Sequence, residues 1–225
     1  DQMKEDLRTL VAKPNGIVLV TGPTGSGKTT TLYSCLKEIN SIEDKILTAE
    51  DPVEYNIEGL MQVPINEAVG MTFAKALRSF LRQDPDRIML GEIRDSDTAR
   101  IAIQASLTGH LVLSTLHTND APASITRLIN IGVEPYLIGS AINAVIAQRL
   151  VRRVCDNCKE PARLDETMSE HLRMYDVPSG QVWQGRGCDK CRNTGYAGRV
   201  GLYEMLVLDD TLRDRIAGNP GVTEF

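Results

Sequence analysis

Residues 17–29 read Ile17-Val18-Leu19-Val20-Thr21-Gly22-Pro23-Thr24-Gly25-Ser26-Gly27-Lys28-Thr29, an apolar run leading directly into the pattern G-x-x-x-x-G-K-[ST]. Read physically, this is a buried strand that ends in a glycine-rich turn and opens a helix over Thr29–Ile39. Glycines at 22, 25 and 27 let the backbone wrap closely around a polyphosphate, with N–H groups and the positive helix end turned inward. Lys28 has the reach for β- and γ-phosphates, and the Thr29 hydroxyl can hold Mg²⁺. Gly22, Pro23, Thr24, Gly25, Ser26, Gly27, Lys28, Thr29 and Thr30 are therefore the candidate nucleotide-binding residues. A chance match in an ordinary turn is the competing reading, and the strand-turn-helix context argues against it.

Outward from this loop the chain keeps alternating strand and helix. Lys45–Thr48 reads as a strand ending in Ala49-Glu50-Asp51-Pro52-Val53-Glu54. Pro52 disfavours helix at Asp51 and removes a donor, so this acidic cluster is expected on a loop at a strand's carboxyl end, the edge where open α/β sheets bind ligands. Short β-like pieces follow around Met61 to Ile65. Thr72 then reads as the N-cap of a helix to Arg82, with Phe73, Ala76, Leu77, Phe80 and Leu81 on one face. Strands at Arg87–Leu90 and Leu111–Thr115 lead into Gly91-Glu92 and Leu116-His117, with a helix over Ser96–Thr108 between them. A helix over Ala121–Ile131 and a long apolar helix from Tyr136 to about Ala147 complete the unit. The alternation predicts an α/β fold with a mostly parallel sheet covered on both faces.

The expected division is a linker helix over 1–15, an α/β nucleotide-binding domain over 16–152, a cysteine module over 153–198 and a C-terminal segment over 199–225 with a short helix at Asp209–Ala217. Asp1 starts inside a helix-like stretch and Phe225 stops just after a Gly-Asn-Pro-Gly turn, so both ends read as cut from a longer protein. With 225 residues and 42% apolar content, the chain can bury one large core beside a small module. A net charge of -5 and only 4% aromatic residues speak against a nucleic-acid binder. No run of about 18 apolar residues and no signal-peptide pattern occurs, which predicts a soluble protein that is not exported.

Four loops are expected to meet at one sheet edge: the phosphate loop, the acidic stretch at 50–54, the Gly91-Glu92 corner and the Leu116-His117 corner. P-loop enzymes usually place an aspartate after the apolar strand to help hold Mg²⁺. Here Ile88-Met89-Leu90 runs into Gly91 and Glu92, without that aspartate. Glu92 is the candidate general base for an attacking water, and Glu54 or Glu50 the candidate for balancing metal charge through water. Glu50 and Asp51 read equally as capping residues. His117 is a candidate γ-phosphate sensor and His110 a weaker one. Arg94 and Arg149 read either as a pair across a subunit contact or as ordinary surface ion pairs.

The second specific feature is Cys155-Asp-Asn-Cys158 with Cys188-Asp-Lys-Cys191. Two such pairs supply four thiolates to a tetrahedral Zn²⁺, a structural site with no open coordination position. A thiol-redox pair is the rival reading. Cys35 reads as packing, and Trp183 as a cap over the module.

Gly22–Thr29, Ala49–Glu54, Leu81-Arg-Gln-Asp-Pro-Asp86, Gly91-Glu-Ile-Arg-Asp95, Leu107-Thr-Gly-His110 and Ser114-Thr-Leu-His-Thr-Asn119 together resemble the secretion-motor ATPases of type II secretion and type IV pilus assembly. Gln148-Arg-Leu-Val-Arg152, the cysteine pairs and Gly201-Leu-Tyr-Glu204 extend the resemblance over nearly the whole chain. It implies a RecA-like P-loop ATPase hydrolysing ATP with Mg²⁺. It also implies a homo-hexameric ring at the cytoplasmic face of the inner membrane, working through a membrane platform protein. Carried over, Lys28 and Thr29 belong to the Walker A box, Glu54 to the Asp box, Glu92 to the Walker B box and His117 to the His box. The family's upstream domain, which supplies arginines to a neighbouring site, has no counterpart in these residues, so weak activity and poor ring formation are expected of them alone. A nucleic-acid motor and an ATP-dependent conformational switch without turnover are the alternatives.

Overall fold

The computed structural model describes residues 2–178, 180 and 182–218. In chain order its elements are α1 (Gln2–Val11), β1 (Gly16–Thr21), α2 (Lys28–Ile39), β2 (Ile46–Glu50), β3 (Leu60–Pro64), α3 (Phe73–Phe80), β4 (Arg87–Leu90), α4 (Ser96–Leu107), β5 (Leu111–Leu116), α5 (Ala121–Asn130), α6 (Pro135–Ala141), β6 (Ile142–Val154), β7 (Lys159–Pro161), α7 (Glu166–Met174), β8 (Trp183–Gly185), β9 (Tyr196–Val207) and α8 (Asp210–Ala217). The turn expected after Gly218 lies outside the described residues.

Seven strands form one sheet in the order β3-β2-β4-β5-β1-β6-β9, and the pairings β3–β2, β2–β4, β4–β5, β5–β1 and β1–β6 are all parallel. Parallel strands need crossovers, and helices on both faces bury the central strands on two sides. Hence every residue of β1 and β5 is buried. Alternate β1 side chains serve opposite layers. Ile17 and Leu19 join Phe73, Leu77, Phe80, Ala102, Ile125 and Ile138, whereas Val18 and Val20 join Leu10, Val11, Leu32, Tyr33 and Leu36 from α1 and α2. The mostly parallel α/β architecture is as expected from the alternation.

One expected element is corrected. The helix over Tyr136–Ala147 stops at Ala141, and the stretch Ile142–Ala147, apolar except for Asn143, is the start of β6. A continuous apolar run has no period to separate a buried strand from a buried helix. The free edge of β1 decides: Ile17 pairs with Ile142, and Val18 through Thr21 pair with Ala144 through Ala147. An uncovered edge in the sheet centre would leave a row of backbone groups without partners.

The chain divides into two compact units, one holding the chain through Arg149 together with its return from Tyr203, the other Leu150–Leu202. In the first, α8 rejoins the domain: the Leu208 N–H donates to the Asn143 carbonyl at 3.0 Å, and the Arg213 guanidinium donates to the Gly139 carbonyl. α1 buries Leu10 and Val11 in the same core as α2. The second unit holds β7 paired antiparallel with β8, and α7, which buries no side chain.

Candidate active site and metal centre

β1 delivers the chain at the sheet's carboxyl edge, and three loop glycines, at 22, 25 and 27, take positive φ values. At Gly22 the requirement is also spatial, because a Cβ there would lie 2.3 Å from the Gln148 carbonyl oxygen. α2 begins at Lys28 with Gly27 as N-cap and no side chain capping it, so its first-turn N–H groups remain free for an anion. Lys28 Nζ donates to the carbonyls of Gly22 (2.9 Å) and Pro23 (3.2 Å). Burial lowers its pKa, with Glu92 opposing that shift. Thr29 is half-buried on the same turn.

The Glu92 corner is fixed from both flanks. The Gly91 N–H donates to the Ala49 carbonyl at 2.7 Å, Thr115 Oγ1 donates to the Gly91 carbonyl at 2.7 Å, and the Ile93 N–H donates to the Thr115 carbonyl at 3.0 Å. Asp95 then caps α4 by accepting from the Thr98 N–H at 2.8 Å, so the loop has a defined end. The Glu92 carboxylate, 15% exposed, sits 2.7 Å from the Arg94 guanidinium and 3.6 Å from His117 Nε2. The hydrogen bond from Arg94 holds its pKa below the usual carboxylate value against partial burial, helped by the charge of Arg94 and by His117 and Lys28. Arg94 also lies 3.5 Å from Asp51 and 3.9 Å from Glu67. Within the chain Arg94 therefore pairs with three carboxylates.

His117 is half exposed on the loop after β5. That loop is tied to the end of β1, because Thr21 Oγ1 accepts from the Thr118 N–H at 2.9 Å and lies 2.6 Å from Thr118 Oγ1. Asp120 caps α5 through the Ala123 N–H at 2.7 Å. His110 plays a different part: its Nδ1 lies 3.0 Å from the Ala105 carbonyl, in the turn between α4 and β5. Arg149 donates to the Asn119 carbonyl at 3.4 Å.

The two acidic-stretch glutamates part company. Glu50 is 2% exposed, and its carboxyl group accepts from the Tyr33 hydroxyl, from Thr48 Oγ1 and from Gln62 Nε2 (3.0 Å). Glu54 lies on the exposed loop, where its backbone N–H donates to the Tyr33 hydroxyl at 3.3 Å. Burial first, then Glu50, pushes the Tyr33 pKa up to about 12. Sequence reading missed Tyr33. The available signal was a hydroxyl on the core-facing side of α2 between Leu32 and Leu36, which must find a partner when buried. Gln62 and Gln148 carried no such signal. Cys35 is buried, as expected of a packing residue, and lines a cavity of 380 Å³ between α1 and α2 with Leu7, Val11, Ile146 and Met205. Thr30, the last of the candidate nucleotide-binding residues, lines that cavity too, but Lys28, Glu92 and His117 do not.

In the second unit Cys155, Cys158, Cys188 and Cys191 converge, with all four sulfur atoms within 4.8 Å of one another. The Sγ separations are 3.9 Å for 155–188, 3.8 Å for 158–191 and 3.7 Å for 188–191. A disulfide needs about 2.05 Å. A tetrahedron of thiolates about 2.3 Å from a Zn²⁺ has an edge of about 3.8 Å, so the donor set fits that ion. Asn157 Nδ2 donates to Cys188 Sγ at 3.3 Å, and the N–H groups of Cys188 and Gly195 donate to Cys191 Sγ at 3.2 and 3.3 Å. These donors favour thiolate, and the Asn157 bond leads in drawing the Cys188 pKa down to about 6. Trp183 is half exposed on β8, with Lys159 Nζ 5.8 Å from its ring centroid.

The type II secretion system protein E of Aeromonas hydrophila is 54% identical over 212 residues, covering 94% of this chain and 42% of that protein. The type IV pilus assembly ATPase PilB of Thermus thermophilus is 50% identical over 223 residues, covering 98% of this chain and 25% of that protein. The chain thus spans less than half the length of these relatives. Among solved structures, the pilus retraction motor PilT with bound ADP superposes with a TM-score of 0.71 at 31% identity over 96% of this chain and 54% of that one. The Legionella pneumophila ATPase DotB gives 0.69 at 28% identity over 98% of this chain and 52% of that one. No helix among the described residues is long and apolar enough to cross a membrane. The sequence profile of the type II/IV secretion system proteins matches residues 1–225, and the chain belongs to that family.

Proposed function

We propose that this chain is the catalytic core of a Mg²⁺-dependent ATPase that powers assembly of a type IV pilus or a type II secretion pseudopilus. The observation that carries this reading is that Glu92 and His117, 3.6 Å apart, stand at the same sheet edge as the phosphate loop that presents Lys28. Lys28 and the loop N–H groups would hold the β- and γ-phosphates, with Gly22–Thr30 as the cradle. Thr29 would hold Mg²⁺. Glu54 is the better candidate than Glu50 for its outer partner, because the Glu50 carboxyl is already committed to Tyr33, Thr48 and Gln62. When bound, the ion neutralises charge developing on the phosphates.

Glu92 takes a proton from a water attacking the γ-phosphorus in line. The bond from phosphorus to the β–γ bridging oxygen breaks, releasing ADP and phosphate. His117 contacts the same carboxylate and reports on the γ-phosphate side. Cys155, Cys158, Cys188 and Cys191 would hold a structural Zn²⁺. The working form on this reading is a homo-hexamer, peripheral to the cytoplasmic face of the inner membrane through a platform protein, with no nucleic-acid partner. Replacing Glu92 by Gln in the full-length hexamer should leave ATP binding intact and cut steady-state hydrolysis at least about a hundredfold. Turnover near wild type would sink the base assignment.

A further inference from the structure

Gln148 is 2% exposed and packs against the phosphate loop and the start of α2. Its Nε2 donates to the Ser26 carbonyl at 2.6 Å, and its Oε1 accepts from the Thr31 hydroxyl at 2.7 Å. Its own carbonyl oxygen lies 2.3 Å from where a Cβ at Gly22 would stand. The side-chain amide is used from both ends, donor to the loop apex and acceptor from the first turn of α2. β6 holds it in place, since the residue before it, Ala147, is paired in register with Thr21, the last residue of β1 before the loop.

The consequence follows from peptide geometry. The carbonyl and N–H of one trans peptide point in opposite directions. The Ser26 carbonyl and the Gly27 N–H belong to the same peptide, so drawing the carbonyl back onto Gln148 turns the Gly27 N–H away from that side chain. The Gly27 carbonyl is meanwhile engaged by the Thr31 N–H at 3.1 Å, so the peptide is gripped on both sides of Gly27.

We propose that Gln148 is a positioning residue that presets the phosphate loop, acting through the Ser26–Gly27 peptide and Thr31 to aim N–H donors at the phosphates of a bound nucleotide. Donors fixed before binding need no reordering when the anion arrives. The G-x-x-x-x-G-K-[ST] stretch is therefore not self-sufficient, and a strand more than a hundred residues later completes it. This inference rests on the reading that the loop binds nucleotide.

The test measures Mg-ADP affinity in the full-length protein. Gln148→Glu is nearly isosteric and keeps an acceptor for Thr31, but sets an acceptor against the Ser26 carbonyl. Gln148→Leu removes both bonds. At a pH of about 8, Gln148→Glu should bind about tenfold more weakly than wild type. At a pH of about 6 it should recover toward wild type, because a buried carboxyl protonates readily and regains a donor. Gln148→Leu should be weak at both. Lys28 and Arg149, the charged residues beside these contacts, are common to all three proteins and cancel when each value is taken relative to wild type at the same pH. Affinities within twofold of wild type throughout would overturn the inference. So would a loss in Gln148→Glu that lower pH does not restore, which would mark a packing role. Failure of the wild-type protein to bind Mg-ADP would instead overturn the nucleotide reading itself.

Discussion

On the proposed mechanism Glu92 accepts a proton while a guanidinium lies 2.7 Å away, and the two demands pull against each other. Arg94 keeps the carboxylate ionised, as a base must be, yet by lowering its pKa it also makes it a weaker base. The sign for a pH profile is fixed by this. The carboxylate form survives to lower pH with Arg94 present, so Arg94→Ala should move the acid limb of kcat/KM toward higher pH, with Arg94→Lys between the two. His117 and Lys28, the other basic groups near Glu92, remain in both variants. An acid limb that stays put in Arg94→Ala would show that Glu92 does not set it. Loss of the contacts to Asp51 and Glu67 should cost little stability, since all three side chains are at least 40% exposed. At this scale Lys28, Glu92 and His117 were legible in the sequence because each follows a buried apolar run at a strand's carboxyl end. The partner of Arg94 was not, since a contact between two residues of one short corner depends on how the chain turns there.

Elements carry the site by being tied to one another behind it. Tyr33 on α2 bonds the Glu50 carboxyl at the end of β2 and accepts from the Glu54 N–H, so one hydroxyl joins the phosphate-loop helix to the acidic loop. Tyr33→Phe keeps the ring and its edge contact with Tyr55, 4.8 Å between centroids, and removes only the hydroxyl. A buried carboxyl then loses a donor, which should destabilise the α/β unit by about 2 kcal/mol. Urea denaturation followed in that unit checks this, and a loss below about 0.5 kcal/mol would mean that Thr48 and Gln62 suffice. Strands β1, β4 and β5 were legible because their apolar runs are short and bounded by turn or loop residues, and helix α3 because its apolar face has a helical period and Thr72 caps its start. The start of β6 was not, because Ile142–Ala147 offers no period, and its state is settled by the unpaired edge of β1 far away in sequence. The same long-range pairing places Gln148, so the residue that completes the phosphate loop was hidden for the same reason.

At the scale of the whole molecule the two units rest on different physics. The α/β unit buries two continuous apolar layers, one on each face of its sheet. In Leu150–Leu202 the buried side chains among the described residues are Cys155, Cys158 and Cys191, and α7 contributes none. Apolar burial on that scale cannot offset the cost of ordering the backbone, about 1–2 kcal/mol per residue. Ligation of a metal by four thiolates can, since structural zinc supplies on the order of 10 kcal/mol or more. Protein purified without chelator should therefore carry one zinc per chain. Removing it should raise amide hydrogen exchange across 155–195 by orders of magnitude, while β1, β4 and β5 keep their protection and Mg-ADP still binds. Finding no zinc by elemental analysis would refute the tetracysteine site. Exchange in 155–195 that is unchanged once the metal is confirmed absent would show instead that the thiol cluster is held by the chain itself, and that the metal is a passenger in a fold already formed.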